Sequence, residues 1–309
     1  MSYHVPVLCD AVVEHLVVDP GGIYLDATAG GGGHSEALLR ALDSEATVWS
    51  VDRDADAVEQ AARVLSQDER ARVRRASFAE LDALLDSEGV DSLSGALFDL
   101  GVSSHQIDAA HRGFSYRSAG PLDMRMDSMQ SKTAADIIAF ASERELLEIV
   151  RDFGEERRAG AVAKSIVRMR DRAPLQTTGD LRRAVEDTRP QMLNKTLARV
   201  FQAFRIAVNS ELDQLAAGLD AAIGRLAVGG RLAVIAYHSL EDRLVKQRLA
   251  ERMRGCVCPP RMPVCACGRR PEFVKVGRGR IRPSADETAI NSRARSAVLR
   301  LFEKVEECA

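Results

Sequence analysis

Four consecutive glycines, Gly30 to Gly33, follow an apolar run that closes on Leu25-Asp26-Ala27-Thr28, and an aspartate, Asp52, stands twenty residues beyond Gly32. Glycines let a backbone approach a ligand closely, and the helix they open presents N–H groups that favour negative charge. An acid at that distance, ending a second apolar run, has the spacing of one that accepts both hydroxyls of a ribose. The loop reads Asp26-Ala27-Thr28-Ala29-Gly30-Gly31-Gly32-Gly33-His34. It lacks the G-x-G-x-x-G pattern of a dinucleotide site, and no P-loop lysine follows it. An acid at its start is awkward beside a pyrophosphate and suits a cation. These contrasts favour S-adenosylmethionine, with its sulfonium and amino groups, as the ribose-bearing cofactor.

These residues need a frame. Ile23–Thr28, Thr47–Val51, Arg72–Ala76 and Gly95–Phe98 read as strands, with helical periodicity between them, and Asp26, Asp52 and Asp99 mark strand ends. Strands separated by helices imply a parallel, doubly wound, Rossmann-like α/β sheet, whose ligands bind outside the carboxyl ends of the strands. Asp54 is placed to cap the helix after the second strand, and Ser77 with Glu80 forms a capping box. The alternation stops for about a hundred residues, where capping boxes at Thr133/Asp136 and Ser142/Glu145 start helices. Gly154 is expected to close the second of these. A long helical pattern from Lys195 to Leu226, with a break at Asn209-Ser210, is expected to end at Gly229-Gly230. A fifth strand, Arg231–Tyr237, precedes a helix boxed by Ser239 and Asp242, and Phe273–Val276 and Ser296–Phe302 supply two last strands. The expected fold is thus this sheet with a helical domain inserted after its fourth strand.

The formal net charge of -2 conceals a polarised chain. Residues 1–104 hold 7 Lys+Arg against 19 Asp+Glu, whereas residues 243–300 hold 15 against 4 and residues 151–205 hold 13 against 7. Arginine dominates the basic segments and suits bidentate phosphate contacts, so a polyanion face is expected, RNA or DNA. No apolar run approaches the ~20 residues of a membrane span, and the start lacks the pattern of a secretion signal. The cytoplasm is the expected location, with no membrane partner.

Several of these segments occur together in one family. His4-Val5-Pro6-Val7-Leu8, Asp26-Ala27-Thr28 with the glycines and His34-Ser35, Val51-Asp52-Arg53-Asp54 and Asp99-Leu100-Gly101-Val102-Ser103-Ser104 are joined by Arg112-Gly113-Phe114-Ser115 and Gly120–Met126. Gly154-Glu155-Glu156, Phe201–Arg205 with Asn209, and His238–Arg243 follow in the same order. Along nearly its whole length the chain resembles the bacterial 16S ribosomal RNA cytosine-N4 methyltransferases. The resemblance implies a class I methyltransferase sheet and S-adenosylmethionine as cofactor. It also implies, as target, the exocyclic amine of a decoding-region cytosine in the 16S rRNA of the small ribosomal subunit. Carried over by position, cofactor contacts fall on Gly32, Gly33, His34, Asp52, Phe78, Asp99 and Gln106. The expected division is a cofactor-binding domain of residues 1–107 and 209–309 around an inserted substrate-recognition domain of residues 108–208.

Cytosine N4 is a poor nucleophile because its lone pair is delocalised into the ring. A catalyst must hold it in line with the methyl and accept hydrogen bonds from its protons, a task for a carboxylate or backbone carbonyl beside the fourth strand. Many amino-methyltransferases carry Asp/Asn-Pro-Pro-aromatic there; here the residues are Asp99-Leu100-Gly101-Val102. Asp99 is the leading catalytic candidate, with Asn209 and His238 beside it, and Phe114, Tyr116 and Tyr237 are candidates to stack on the base. Methylation at C5 is disfavoured because it needs a nucleophilic thiol, and all six cysteines lie far from the fourth strand in sequence. Cys256, Cys258, Cys265 and Cys267 fall within twelve residues, and the sequence leaves open whether they bind zinc or form a reduced loop. No metal ligand is assigned, and the oligomeric state, a homodimer included, stays open. A non-catalytic ribosome-assembly factor is the competing class, and a nicotinamide-dependent oxidoreductase the third.

Overall fold

Each strand of the sheet sends alternate side chains to opposite faces, and both faces are apolar. Tyr24, Val48, Leu97, Ala233 and Leu301 join one buried cluster, while Leu25, Trp49, Phe98, Val234 and Phe302 join another. Such doubly buried strands are the near-continuous hydrophobic runs of a parallel sheet covered by helices on both sides. The computed structural model describes residues 6–259, 264 and 266–306. His4, Val5, Cys265 and Cys308 therefore lie outside the described residues. The chain divides into two units, Met1–Gly101 with Leu212–Ala309, and Val102–Glu211.

In the first unit, α1 (Cys9–Leu16) precedes β1 (Ile23–Asp26), α2 (Gly33–Ala41), β2 (Thr47–Asp52), α3 (Ala55–Val64), β3 (Ala71–Arg75), α4 (Leu81–Ser87) and β4 (Leu93–Asp99). After the second unit come α11 (Glu211–Arg225, its first residue in that unit), β5 (Leu226–Ala236), α12 (Ser239–Arg252), β6 (Phe273–Lys275), α13 (Ala285–Ile290) and β7 (Val298–Lys304). The seven strands run in the order β3-β2-β1-β4-β5-β7-β6. Strands β1 to β5 pair in parallel, whereas β7 is antiparallel to β5 and β6 to β7. Asp26, Asp52 and Asp99 consequently end strands on the same edge.

Three local expectations are corrected. β5 begins at Leu226, before Gly229-Gly230; Gly229 has φ 84 inside it, and the pairing with β4 shifts between Leu93 and Gly95. The glycines mark an irregularity within the strand, not the stop of a helix. The capping box of α12 is His238 with Glu241, not Ser239 with Asp242. Gly154 is not left-handed: α7 is capped by Phe153 in the right-handed region, and the positive φ, 48, falls on Glu155. A Cβ on Gly154 would lie 2.6 Å from the Val150 carbonyl oxygen and 2.8 Å from that of Arg199, so close packing explains the glycine.

The second unit is helical: α5 (Ser104–Asp108), α6 (Ala134–Phe140), α7 (Glu143–Asp152), α8 (Ala159–Arg170), α9 (Thr178–Glu186) and α10 (Leu193–Asn209). Leu146, Val150, Val162, Ile166, Leu181, Val200 and Phe204 meet in its own buried core. The capping boxes at Thr133/Asp136 and Ser142/Glu145 form as spaced. α10 ends where Ser210 turns left-handed at φ 47. Among the described residues no helix is long and apolar enough to cross a membrane.

Candidate active site

The turn after β1 is held from below. Asp26 is fully buried, its Oδ2 accepts from Ser35 Oγ at 2.7 Å, and its Oδ1 accepts from the Thr28 amide at 3.1 Å. Burial pushes its carboxyl up, against the opposing pull of His34 and Ser35. The acid expected to face a cationic ligand instead ties the loop to α2. Thr28 Oγ1 accepts from the Asp99 backbone N–H at 2.6 Å, joining the ends of β1 and β4.

Above this clip the glycines lie open. Gly30 and Gly32 have φ of 50 and 85, which other residues adopt at a cost, and a Cβ on Gly32 would approach Ala61 Cα at 3.3 Å. Asp52 Oδ2 accepts from the Gly30 N–H and Oδ1 from the Asp54 N–H, each at 2.9 Å. A carboxylate oxygen has two acceptor directions, so each keeps one for a hydroxyl. Burial raises the Asp52 carboxyl to about 6, although both backbone donors oppose that rise. Past β3, the Ser77/Glu80 capping box opens the turn that carries Phe78, whose ring meets Phe98 edge-on at 5.3 Å. Gly218 of α11 backs it, since a Cβ there would sit 2.8 Å from Phe78 Cβ.

At the end of β4 the charges concentrate. His34 Nε2 lies 3.4 Å from Asp99 Oδ2, with the two side chains 5% and 14% exposed. Burial alone would push the imidazole down, but Asp99, the Cys9 sulfur and Asp26 lift it to about 10, so it is a cation at neutral pH. Among the described residues, neither ring nitrogen completes a hydrogen bond and Asp99 Oδ1 has no hydrogen-bond partner. A buried carboxylate oxygen without a donor is costly unless a ligand supplies one. Tyr237, at the end of β5, stays a phenol because burial, then Asp99, raises it far above its usual range. Its ring fills the space over Gly101, where a Cβ would approach within 2.8 Å. An open glycine backbone, an acid with free acceptor directions and an unpartnered carboxylate oxygen fit a ribose-bearing cofactor and a reacting amine.

The remaining candidates are built differently. His238 caps α12: its Nδ1 accepts from the Glu241 N–H at 3.4 Å and its Nε2 lies 2.9 Å from Glu241 Oε1. Glu241 Oε2 also accepts from the Tyr237 N–H at 2.8 Å, so this pair fixes the strand end carrying Tyr237. In the helical unit, Asn209 is 1% exposed; its Oδ1 accepts from the Met126 N–H, and its Nδ2 donates to the Met124 and Arg205 carbonyls, each at 2.8 Å. Gln106, also in that unit, accepts from the Ser103 N–H at 3.1 Å while Ser103 Oγ accepts from the Gln106 N–H. Tyr116 packs edge-on against Phe201 at 5.6 Å, and Phe114 lies under Arg112, so these two join their own unit's packing. Sequence reasoning missed Cys9, Thr28, Gly101 and Glu241. The argument that placed every cysteine far from β4 fails for Cys9, which reaches His34 from α1.

The profile of the MraW methylase family matches residues 1–305. The chain is 46% identical over 309 residues to the ribosomal RNA small subunit methyltransferase H of Trichlorobacter lovleyi, covering 98% of each protein. To the protein of the same name from Heliobacterium modesticaldum it is 45% identical over 309 residues, covering 98% of this chain and 99% of that one.

Proposed function

The chain belongs to the MraW methylase family, and we propose that it methylates the N4 exocyclic amine of a cytosine in the decoding region of 16S rRNA. Its sheet is of the Rossmann-like class I methyltransferase kind, and its cofactor is S-adenosylmethionine. The relatives' shared name supports small-subunit rRNA as the substrate class. The observation that carries the finer reading is the Asp99 carboxylate at the end of β4, one oxygen of which has no hydrogen-bond partner among the described residues.

The cofactor supplies an electrophilic methyl on a sulfonium. Asp52 accepts the ribose hydroxyls, the Gly30–Gly33 backbone lets the ligand approach, and Phe78 flanks the adenine. The His34 imidazolium answers the carboxylate at the amino-acid end, and Gln106 is a further cofactor contact. Asp99 accepts a hydrogen bond from the incoming N4 amine, aims its lone pair and offsets the positive charge that grows on nitrogen. Tyr237 walls this position. Asn209 and His238 serve the reaction as positioning residues, Asn209 by holding the Met124–Met126 turn and His238 by holding the start of α12.

The test is methyl transfer to small subunits that lack the modification, read by nucleoside mass spectrometry. N4-methylcytidine is the expected product; C5-methylcytidine, or binding without transfer, would overturn the reading. Because Cys9 adjoins His34, Cys9→Ala separates the chemistries: N4 transfer survives it, whereas C5 transfer through that thiol would not.

Phe78 gives a second expected result. Gly218→Ala forces a methyl against Phe78 Cβ and Cγ, at 2.8 and 3.1 Å. A displaced aromatic contact is worth about 0.5–1.5 kcal/mol, so cofactor affinity should fall roughly two- to ten-fold. Calorimetry on the folded variant checks this, and an unchanged affinity removes Phe78 from the cofactor site.

For RNA, the basic segment matters most. Arg278, Arg280 and Arg282 are exposed and have no acidic partner among the described residues. Replacing all three by Ala should weaken subunit binding and flatten its salt dependence, each lost phosphate contact lowering the log–log slope by ~0.7–0.9. Cofactor affinity should not change. Parallel salt series for variant and wild type would mark the segment as merely solvated.

A further inference from the structure

Between α12 and β6 the chain doubles back and brings three thiols together. The sulfurs of Cys256, Cys258 and Cys267 all lie within 4.8 Å of one another, and those of Cys256 and Cys267 are 3.6 Å apart. The 3.6 Å between Cys256 and Cys267 is far beyond the roughly 2.05 Å of a disulfide bond. Apolar burial does not explain the gathering. Cys256 and Cys267 are exposed, and Val257 and Val264 in the same loop are 53% and 75% exposed. A loop without apolar packing that still converges its sulfurs has the construction of a metal-closed loop. Tetrahedral zinc with bonds of about 2.3 Å sets its sulfur ligands about 3.8 Å apart, close to the 3.6 Å between Cys256 and Cys267. The Ala266 N–H donates to Cys258 Sγ at 3.4 Å, which fixes the position of that sulfur within the loop.

We propose that Cys256, Cys258 and Cys267 bind one Zn2+ ion as thiolates in a structural site that closes the loop between α12 and β6. Each thiol releases one proton on binding and no electron moves, so the ion with its three sulfurs carries a net charge of -1. The site anchors the chain where it enters the basic segment, because Cys267 is followed, after Gly268, by Arg269 and Arg270. Arg269 already donates to the Glu251 carbonyl at the end of α12, at 2.9 Å.

The test begins with the metal content of the full chain purified under reducing conditions. One zinc per chain is expected, and cobalt substituted for it should give thiolate-to-metal absorption with the intense visible bands of a tetrahedral site. Cys256→Ser with Cys267→Ser should abolish both signals. Trypsin should cut the chelator-treated wild type between residues 254 and 270 while sparing the zinc-loaded form, with cofactor affinity equal in the two. Reduced wild-type protein that holds no zinc and gives no cobalt signal overturns the proposal. So does a Cys256–Cys267 disulfide that persists under those conditions. Because the decisive readings are made on the wild type, a variant that fails to fold does not blunt them.

Discussion

Replacing Asp99 by Ala is expected to lower methyl transfer at saturating cofactor on the order of 10²–10³-fold, the usual loss when one charge-stabilising group leaves an active site. Binding of the small subunit should change little, because the side chain is only 14% exposed and far too small a surface to carry RNA affinity. Its backbone contribution persists in the variant, since the bond to Thr28 Oγ1 uses the Asp99 amide. The side chain, however, also faces His34, and removing one partner of a buried pair strands the other. The imidazole can answer by losing its proton, as its rise to about 10 depends on Asp99. Asp99→Asn therefore belongs beside Asp99→Ala: it keeps an acceptor oxygen for the amine but not the charge. Its activity should fall between wild type and Ala. Thermal unfolding separates lost chemistry from lost fold, and wild-type turnover by folded Asp99→Ala at saturating cofactor removes Asp99 from the mechanism.

The strand ends could be read in advance because parallel strands buried on both faces leave near-continuous apolar runs, and the acids after them stand out. Asp52 and the glycines were legible on spacing alone. What each carboxylate faces was not. Asp26 and Asp99 look equivalent in sequence, yet Ser35 and Thr28 consume the first while the second keeps an oxygen without a hydrogen-bond partner among the described residues. That difference depends on a serine nine residues on, which no local pattern distinguishes from an ordinary helix residue.

Long-range partners account for the other misses. Asn209 reads as an amide at a domain border, but its hydrogen bonds reach Met124 and Met126, more than eighty residues earlier in the chain. Met124 itself sits at φ 62, so the amide holds a turn the backbone resists. At α12, intrinsic preference favours Ser239 as the cap. Glu241 decides otherwise, because its carboxylate accepts from both Tyr237 and His238 and draws the helix start back by one residue. The beginning of β5 was misread for a related reason: Leu226-Ala227-Val228 continues a helical pattern, and only pairing with β4 makes it strand. Cys9 came into the site through tertiary packing of α1, which sequence distance cannot express.

Asp52 carries the largest expected effect on cofactor binding, and its direction with pH follows from its environment. Asp52→Ala removes the acceptor for both ribose hydroxyls, and hydrogen bonds to a charged group are worth about 1.5–3 kcal/mol, so affinity should fall roughly ten-fold or more. The carboxyl is raised to about 6 in the free protein, first by burial. Only its ionised form keeps both oxygens as acceptors. Wild-type affinity should accordingly be flat above that value and weaken as pH falls through 6, while Asp52→Ala shows no such step. Folding has the opposite sign. A carboxyl that titrates higher when folded than when unfolded binds more protons in the folded state, so its contribution to stability is greatest below about 4 and declines as pH rises to 6. Asp52→Ala should lose that decline in the cofactor-free protein, seen as a smaller drop in Tm between pH 4 and pH 6 than in wild type. Isothermal titration of S-adenosylmethionine from pH 5 to pH 8, run beside thermal melts, measures both. A pH-independent wild-type affinity, or equal affinities of wild type and folded Asp52→Ala at pH 8, would remove the ribose from this carboxylate.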